Sequence, residues 1–91
     1  MRVNSENSTV SWYDDGTCTV YGCLSYNSEE RERIKVLTIP KNCRINGRQY
    51  RIKEVWIEYY FLRKLEKFEL PAGVKLIEED SCPSTVRKEY Y

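Results

Sequence analysis

Ninety-one residues, 32% of them charged and 41% hydrophobic, leave room for one small folded domain and exclude both a second core and a disordered chain. A formal net charge of +1 argues against strong nonspecific nucleic-acid binding, and with no stretch approaching 18 apolar residues no membrane span is expected. A chain this short buries only about 60 to 65 per cent of its unfolded surface, so each large apolar side chain matters.

Residues 1–8 are polar and expected to be loose, and "MRVNSENSTV" has no apolar stretch of the kind a secretory leader needs. From there to residue 33 the pattern predicts an N-terminal β layer. "TVSWY" and "TCTVYG" put β-branched and aromatic residues on either side of "DDG", whose glycine can take positive φ, and this predicts a hairpin. "CLSY" at 23–26 extends the sheet, and "NSEERER" at 27–33 reads as a solvated loop or helical turn.

"IKVLTIP" at 34–40 and "LEKFELP" at 65–71 share a pattern, with apolar residues six, three and one places before a proline. Ile34, Leu37 and Ile39 thus stand over Leu65, Phe68 and Leu70. After the prolines, Ile52 and Val55 of "IKEV" align with Val74 and Ile77 of "VKLI" at a spacing of 22, so the first unit carries nine extra residues. Those residues contain Asn46-Gly47 between strand-like runs, a dipeptide suited to a type I′ hairpin because both central residues need positive φ. "VWIEYYFLRKL" at 55–65 lacks glycine and proline and is expected to form a short packed helix or turn. Pro83 ends the second unit, and the tail from 83 to 91, closing in "RKEYY", reads as a frayed end, with packing back of its two terminal tyrosines as a C-terminal cap the alternative.

Charge is uneven along the chain. Residues 1–33 balance to −3, whereas Lys41, Arg44, Arg48, Arg51 and Lys53 give +5 with no acid between 41 and 53. Catalysis has little to work with. Histidine, the usual base for a serine or cysteine nucleophile, is absent, and the glycines at 16, 22, 47 and 73 are too scattered for a phosphate loop. Glu78, Glu79 and Asp80 are adjacent in sequence and are expected simply to face water. Cys18, Cys23, Cys43 and Cys82 form no C-x-x-C pair, so buried thiols are favoured over a zinc site, and up to two disulfides stay open. No enzyme activity, metal or cofactor is expected.

A period of 20 to 29 with apolar residues in a fixed frame marks leucine-rich repeats, each of which buries its apolar face only against a neighbour. The Ile-Pro strand ends, the Val-x-x-Ile frame and "NGRQYRIKEV" resemble the BspA-like, or treponemal-type, leucine-rich repeats of bacterial surface proteins. The resemblance covers about three quarters of the chain, with residues 34–82 as roughly one and a half repeats. Where that family has Ala-Phe, this chain has Tyr59-Tyr60 and then Ser81-Cys82.

The resemblance implies a β-rich, short leucine-rich-repeat-like solenoid with an N-terminal β-hairpin cap (9–33), an Asn-Gly hairpin insertion and a C-terminal tail (83–91). It also implies noncatalytic recognition of a protein or surface partner. Arginine, tyrosine and tryptophan dominate interface energetics, so Arg44, Arg48, Arg51, Trp56, Tyr59 and Tyr60 are the candidate contact residues. Packing in the core or at an edge is the competing expectation for the three aromatics. Nucleic-acid binding by the basic hairpin 41–53, a phage-like accessory or inhibitor role, and homodimerisation through open strand edges are the alternatives. The missing leader points to the cytoplasm, and the family resemblance to the cell surface.

Overall fold

The computed structural model describes residues 2–21 and 28–91. Chain order is β1 (Val10–Trp12), β2 (Thr17–Val20), a single helical turn α1 (Ser28–Arg31), β3 (Val36–Thr38), β4 (Asn42–Ile45), β5 (Arg48–Ile57), a 3-10 turn (Tyr59–Phe61), β6 (Lys67–Leu70), β7 (Lys75–Glu78) and β8 (Arg87–Tyr90). The expected strand at 23–26 lies outside the described residues.

Two sheets result. In the first, β3, β6 and β8 run parallel, with Leu37 beside Phe68 and Phe68 beside Lys88. In the second, β2 and β7 flank β5 in parallel while β1 and β4 pair antiparallel at the periphery. Parallel neighbours need crossovers. Here the chain supplies them by alternating between sheets: β3 leads to β5, β5 to β6, β6 to β7 and β7 to β8.

Alternation along each strand sends one set of side chains between the sheets. Leu37, Phe68 and Leu70 from the first sheet and Cys18, Val20, Ile52, Val55 and Ile57 from the second are buried there. Each such apolar side chain contributes about 1.5–3 kcal/mol relative to exposure. Tyr59 and Phe68 bring their ring centroids to 6.3 Å across this core.

The heptapeptide alignment reappears in space, since the β3 to β6 register is the 31-residue offset that superimposes Pro40 on Pro71. The second alignment is corrected by one residue. Val55 pairs with Leu76 and Trp56 with Ile77, an offset of 21. Leu76 packs against the core whereas Ile77 shares the outer face with Trp56. Sequence spacing favours Ile77 because isoleucine is the better match to the repeat frame, but strand parity decides which side faces in. The insertion in the first unit is therefore ten residues, Asn42 to Arg51, and its base is closed where Ile52 N donates to Lys41 O at 2.9 Å. At its tip Asn46 and Gly47 have φ of 52° and 79°, as a type I′ turn requires.

The short helix or turn expected within 55–65 is the 3-10 turn Tyr59–Phe61, while Val55 to Ile57 before it continue β5 and bury alternate side chains. Two further expectations change. The N-terminal residues, expected to be loose, sit against β3: Val3 is 1% exposed and its amide donates to Thr38 O at 2.9 Å. The tail does not fray: it is β8, the third strand of the first sheet, and the Tyr91 hydroxyl donates to Ile39 O, in line with the alternative that the terminal tyrosines pack back. A strand of "RKEY" is hard to see in sequence because both its faces are polar.

Candidate functional site

The six candidate residues separate into different places. On the hairpin, Arg44 lies across from Gln49 and Asn42 across from Arg51, with Cys43, Ile45 and Tyr50 turned inward. Arg44 and Arg51 thus share the outer face. Arg48 does not join them: it pairs across from Ile45, and its guanidinium lies 5.4 Å from the centre of the Tyr50 ring.

The outer face continues along β5. Beyond Arg51 the Lys53 ammonium sits 4.2 Å above the Tyr13 ring, and the Tyr13 hydroxyl lies 3.2 Å from Thr19 Oγ1. A bulge between Cys18 and Thr19 shifts the register there and keeps Glu54 outward. Trp56 is next on this face, its indole N–H donating to Glu54 Oε1 at 2.5 Å and its ring 5.8 Å from Tyr21. Arg44, Arg51 and Trp56 therefore belong to one continuous surface, basic at the hairpin and aromatic at the far end of β5.

Tyr59 is core. It is 3% exposed, its hydroxyl donates to Glu78 Oε1 at 2.7 Å, and burial followed by that contact pushes its pKa well above the ordinary value. Tyr60, next in sequence, is 64% exposed. The acidic cluster explains this split and corrects the expectation that it merely faces water. Asp80 accepts both the Tyr59 and Tyr60 amide N–H groups at 2.7 Å, fixing the 3-10 turn from the next layer. Glu78 also receives Lys88, whose ion pair holds the carboxyl below its usual range and raises the lysine. Glu78 and Lys88 both occupy inward positions, beside Ile57 and Phe68, so this pair closes the core at its C-terminal end.

Among the described residues, ion pairs engage Arg33, Lys67 and Lys88. Lys67 contacts Glu89 at 3.1 Å, and Arg33 contacts Glu29 at 2.9 Å. Among the described residues, Lys41, Arg44, Arg48, Arg51 and Lys53 take part in no ion pair. A cleft of about 250 Å³ opens at the hairpin's base, where β4 and β7 lie end to end along β5. Lys41 and Arg51 flank it, with Ile52, Pro71 and Val74 as its apolar wall. This cleft is not legible in sequence, since it exists only because an inserted hairpin stands next to an uninserted turn.

The buried thiols Cys18 and Cys43 are inert by position. Cys18, Cys43 and Cys82 are free; burial pushes Cys18 up to about 11 and raises Cys43. Cys23 lies outside the described residues. Among the described residues no cluster of three cysteine or acidic side chains is placed to hold a metal, and no helix is long and apolar enough to cross a membrane.

Comparison with family models, curated proteins and solved structures gave no match to this chain.

Proposed function

We propose that this chain is a noncatalytic recognition module of leucine-rich-repeat type, a short relative in design of the BspA-like arrays, which engages a protein partner through its hairpin face. One observation carries the reading: five cations and no acid lie between residues 41 and 53, and none of the five has an ion-pair partner among the described residues. An acidic protein surface would complement that charge. Trp56, Tyr13 and Tyr21 on the same face supply the aromatic contact area that interface energetics favour. The repeat reading is supported by the alternation of the chain between two parallel ladders and by the corresponding corners at Pro40 and Pro71.

The test is affinity capture on immobilised protein, comparing the wild type with the double variant Arg44→Glu/Arg51→Glu, with binding of the purified captured protein measured afterwards. A partner retained by the wild type and lost by the variant supports the reading. If capture is unchanged by the double variant, the hairpin face is not the contact. The cation-rich hairpin also suits a nucleic-acid backbone. That alternative predicts tight binding of a single-stranded oligonucleotide, with log K falling about 0.7 per neutralised phosphate for each unit of log salt.

A further inference from the structure

The corners that carry the chain from the second sheet back to the first stack on one another. α1 precedes β3, the 3-10 turn precedes β6, and Asp80 reaches back to that turn from the layer above. This stacking places Arg31 of the lower corner over Phe61, with its guanidinium 4.9 Å from the ring centre. Arg63 lies 5.4 Å from the centre of Tyr60. Tyr60 and Phe61 meet edge to face at 5.3 Å, and Arg31, Glu32, Tyr60, Phe61 and Arg63 line a cavity of about 200 Å³.

Two features of this cavity call for a ligand. Tyr60 and Phe61 stay 64% and 39% exposed although the domain has few large side chains to spare. Arg31 Nε is buried and has no hydrogen-bond partner among the described residues. A buried donor left unsatisfied is costly, and an acceptor that drew the Arg31 guanidinium outward into the cavity would relieve it. With Phe61 beside the Arg31 guanidinium and Tyr60 beside that of Arg63, the N–H edges are the part of each that can bind an acceptor. Those edges match the two oxygens of a carboxylate.

We propose that this cavity is a second recognition site that takes a single carboxylate side chain, aspartate or glutamate, presented by a partner protein. The charges lining it set the preference. Arg31 and Arg63 against Glu32 leave one net positive charge, enough for a carboxylate, whereas a phosphate dianion would overcompensate it and meet Glu32. The volume suits one side chain. Asp80, by pinning the Tyr60 amide, holds the aromatic wall in place before any ligand arrives. The site lies at the corner away from the hairpin and does not depend on the function proposed above.

The test is an NMR titration that monitors the Arg31 Nε–H resonance and the Tyr60 and Phe61 amides. The probes are acetyl-Ala-Glu-Ala-amide, acetyl-Ala-Gln-Ala-amide and inorganic phosphate. The glutamate peptide is expected to give a saturable shift at millimolar concentration, about tenfold tighter than the glutamine peptide and tighter than phosphate. Arg31→Lys keeps the charge but loses the fork, and should weaken the glutamate peptide about fivefold or more while the rest of the spectrum is unchanged. No saturable shift with the glutamate peptide, equal response to glutamine, tighter phosphate binding, or full affinity in Arg31→Lys would each overturn the proposal.

Discussion

Pro40 and Pro71 stand at corresponding corners, both buried, and the strands before them lie side by side. Beyond the prolines the two paths diverge. After Pro71 the chain turns at once: Val74 N donates to Pro71 O at 3.3 Å and Gly73 takes a φ of 88°. After Pro40 the ten residues 42–51 are inserted before the second strand resumes at Ile52. The core is indifferent to this, since Ile52 and Val55 point inward in one unit as Val74 and Leu76 do in the other. A corner is thus a place where residues can be added without disturbing the ladders, and the added residues include Arg44, Arg48 and Arg51, three of the five hairpin cations without an ion pair.

The largest expected effect tests what the two corners share. Phe68 is fully buried between Leu37 and Lys88 in the first sheet. Phe68→Ala should cost about 3–5 kcal/mol, by lost burial plus a cavity, and denaturant unfolding would measure it. Next, Gly73→Ala and Gly47→Ala each force a side chain into positive φ, with no neighbour within 4 Å to clash, so each should cost about 1–2 kcal/mol from the backbone alone. Equal losses would show that the tight corner and the hairpin tip contribute alike. A much smaller loss at Gly47 would show that the insertion folds apart from the ladders.

Acid titration probes the polar closure at the far end of the core. The carboxyl of Glu78 is held below its ordinary value of 4.5 by Lys88 and the Tyr59 hydroxyl, so the folded state binds fewer protons there than the unfolded chain. That contribution is present above pH 4.5 and is lost as the pH falls through the lower folded value. The raised values of Lys88 and Tyr59 act at the other limb, where stability is kept below about pH 10 and lost above it. Glu78→Gln should flatten the acid limb of a plot of melting temperature against pH. The smallest effect is at the hairpin. Arg44→Glu and Arg51→Glu alter exposed side chains without ion pairs and should change stability by less than about 0.5 kcal/mol, in keeping with a role in contact rather than folding.

Much of the ladder is readable in the chain, because proline and the apolar frame punctuate it. "IKVLTIP" and "LEKFELP" become β3 and β6 in the expected register, and Asn46-Gly47 makes the hairpin it encodes. The offset after the prolines departs from the sequence alignment by one residue. In a short strand with apolar residues on both faces, as β7 is with Leu76 and Ile77, composition does not say which parity faces inward. β8 is hidden for a related reason: at the end of the stack its inward positions are Lys88 and Tyr90, and polarity there closes the core where apolar residues would continue it. The candidate site is legible by residue type and only partly by place. Arg44, Arg51 and Trp56 share a face. Arg48 turns to the other, Tyr59 enters the core, and Tyr60 joins Arg31 and Arg63, whose convergence depends on corners 30 residues apart in sequence stacking in space.

The parallel stacking of two units, with a hairpin inserted into the first, is tested most directly by a set of interstrand nuclear Overhauser effects on labelled protein. Stacking in this register predicts backbone contacts of Leu37 with Phe68, Phe68 with Lys88 and Val55 with Leu76, alongside antiparallel contacts of Cys43 with Tyr50. Contacts of Val55 with Ile77, or a β8 detached from β6, would contradict it.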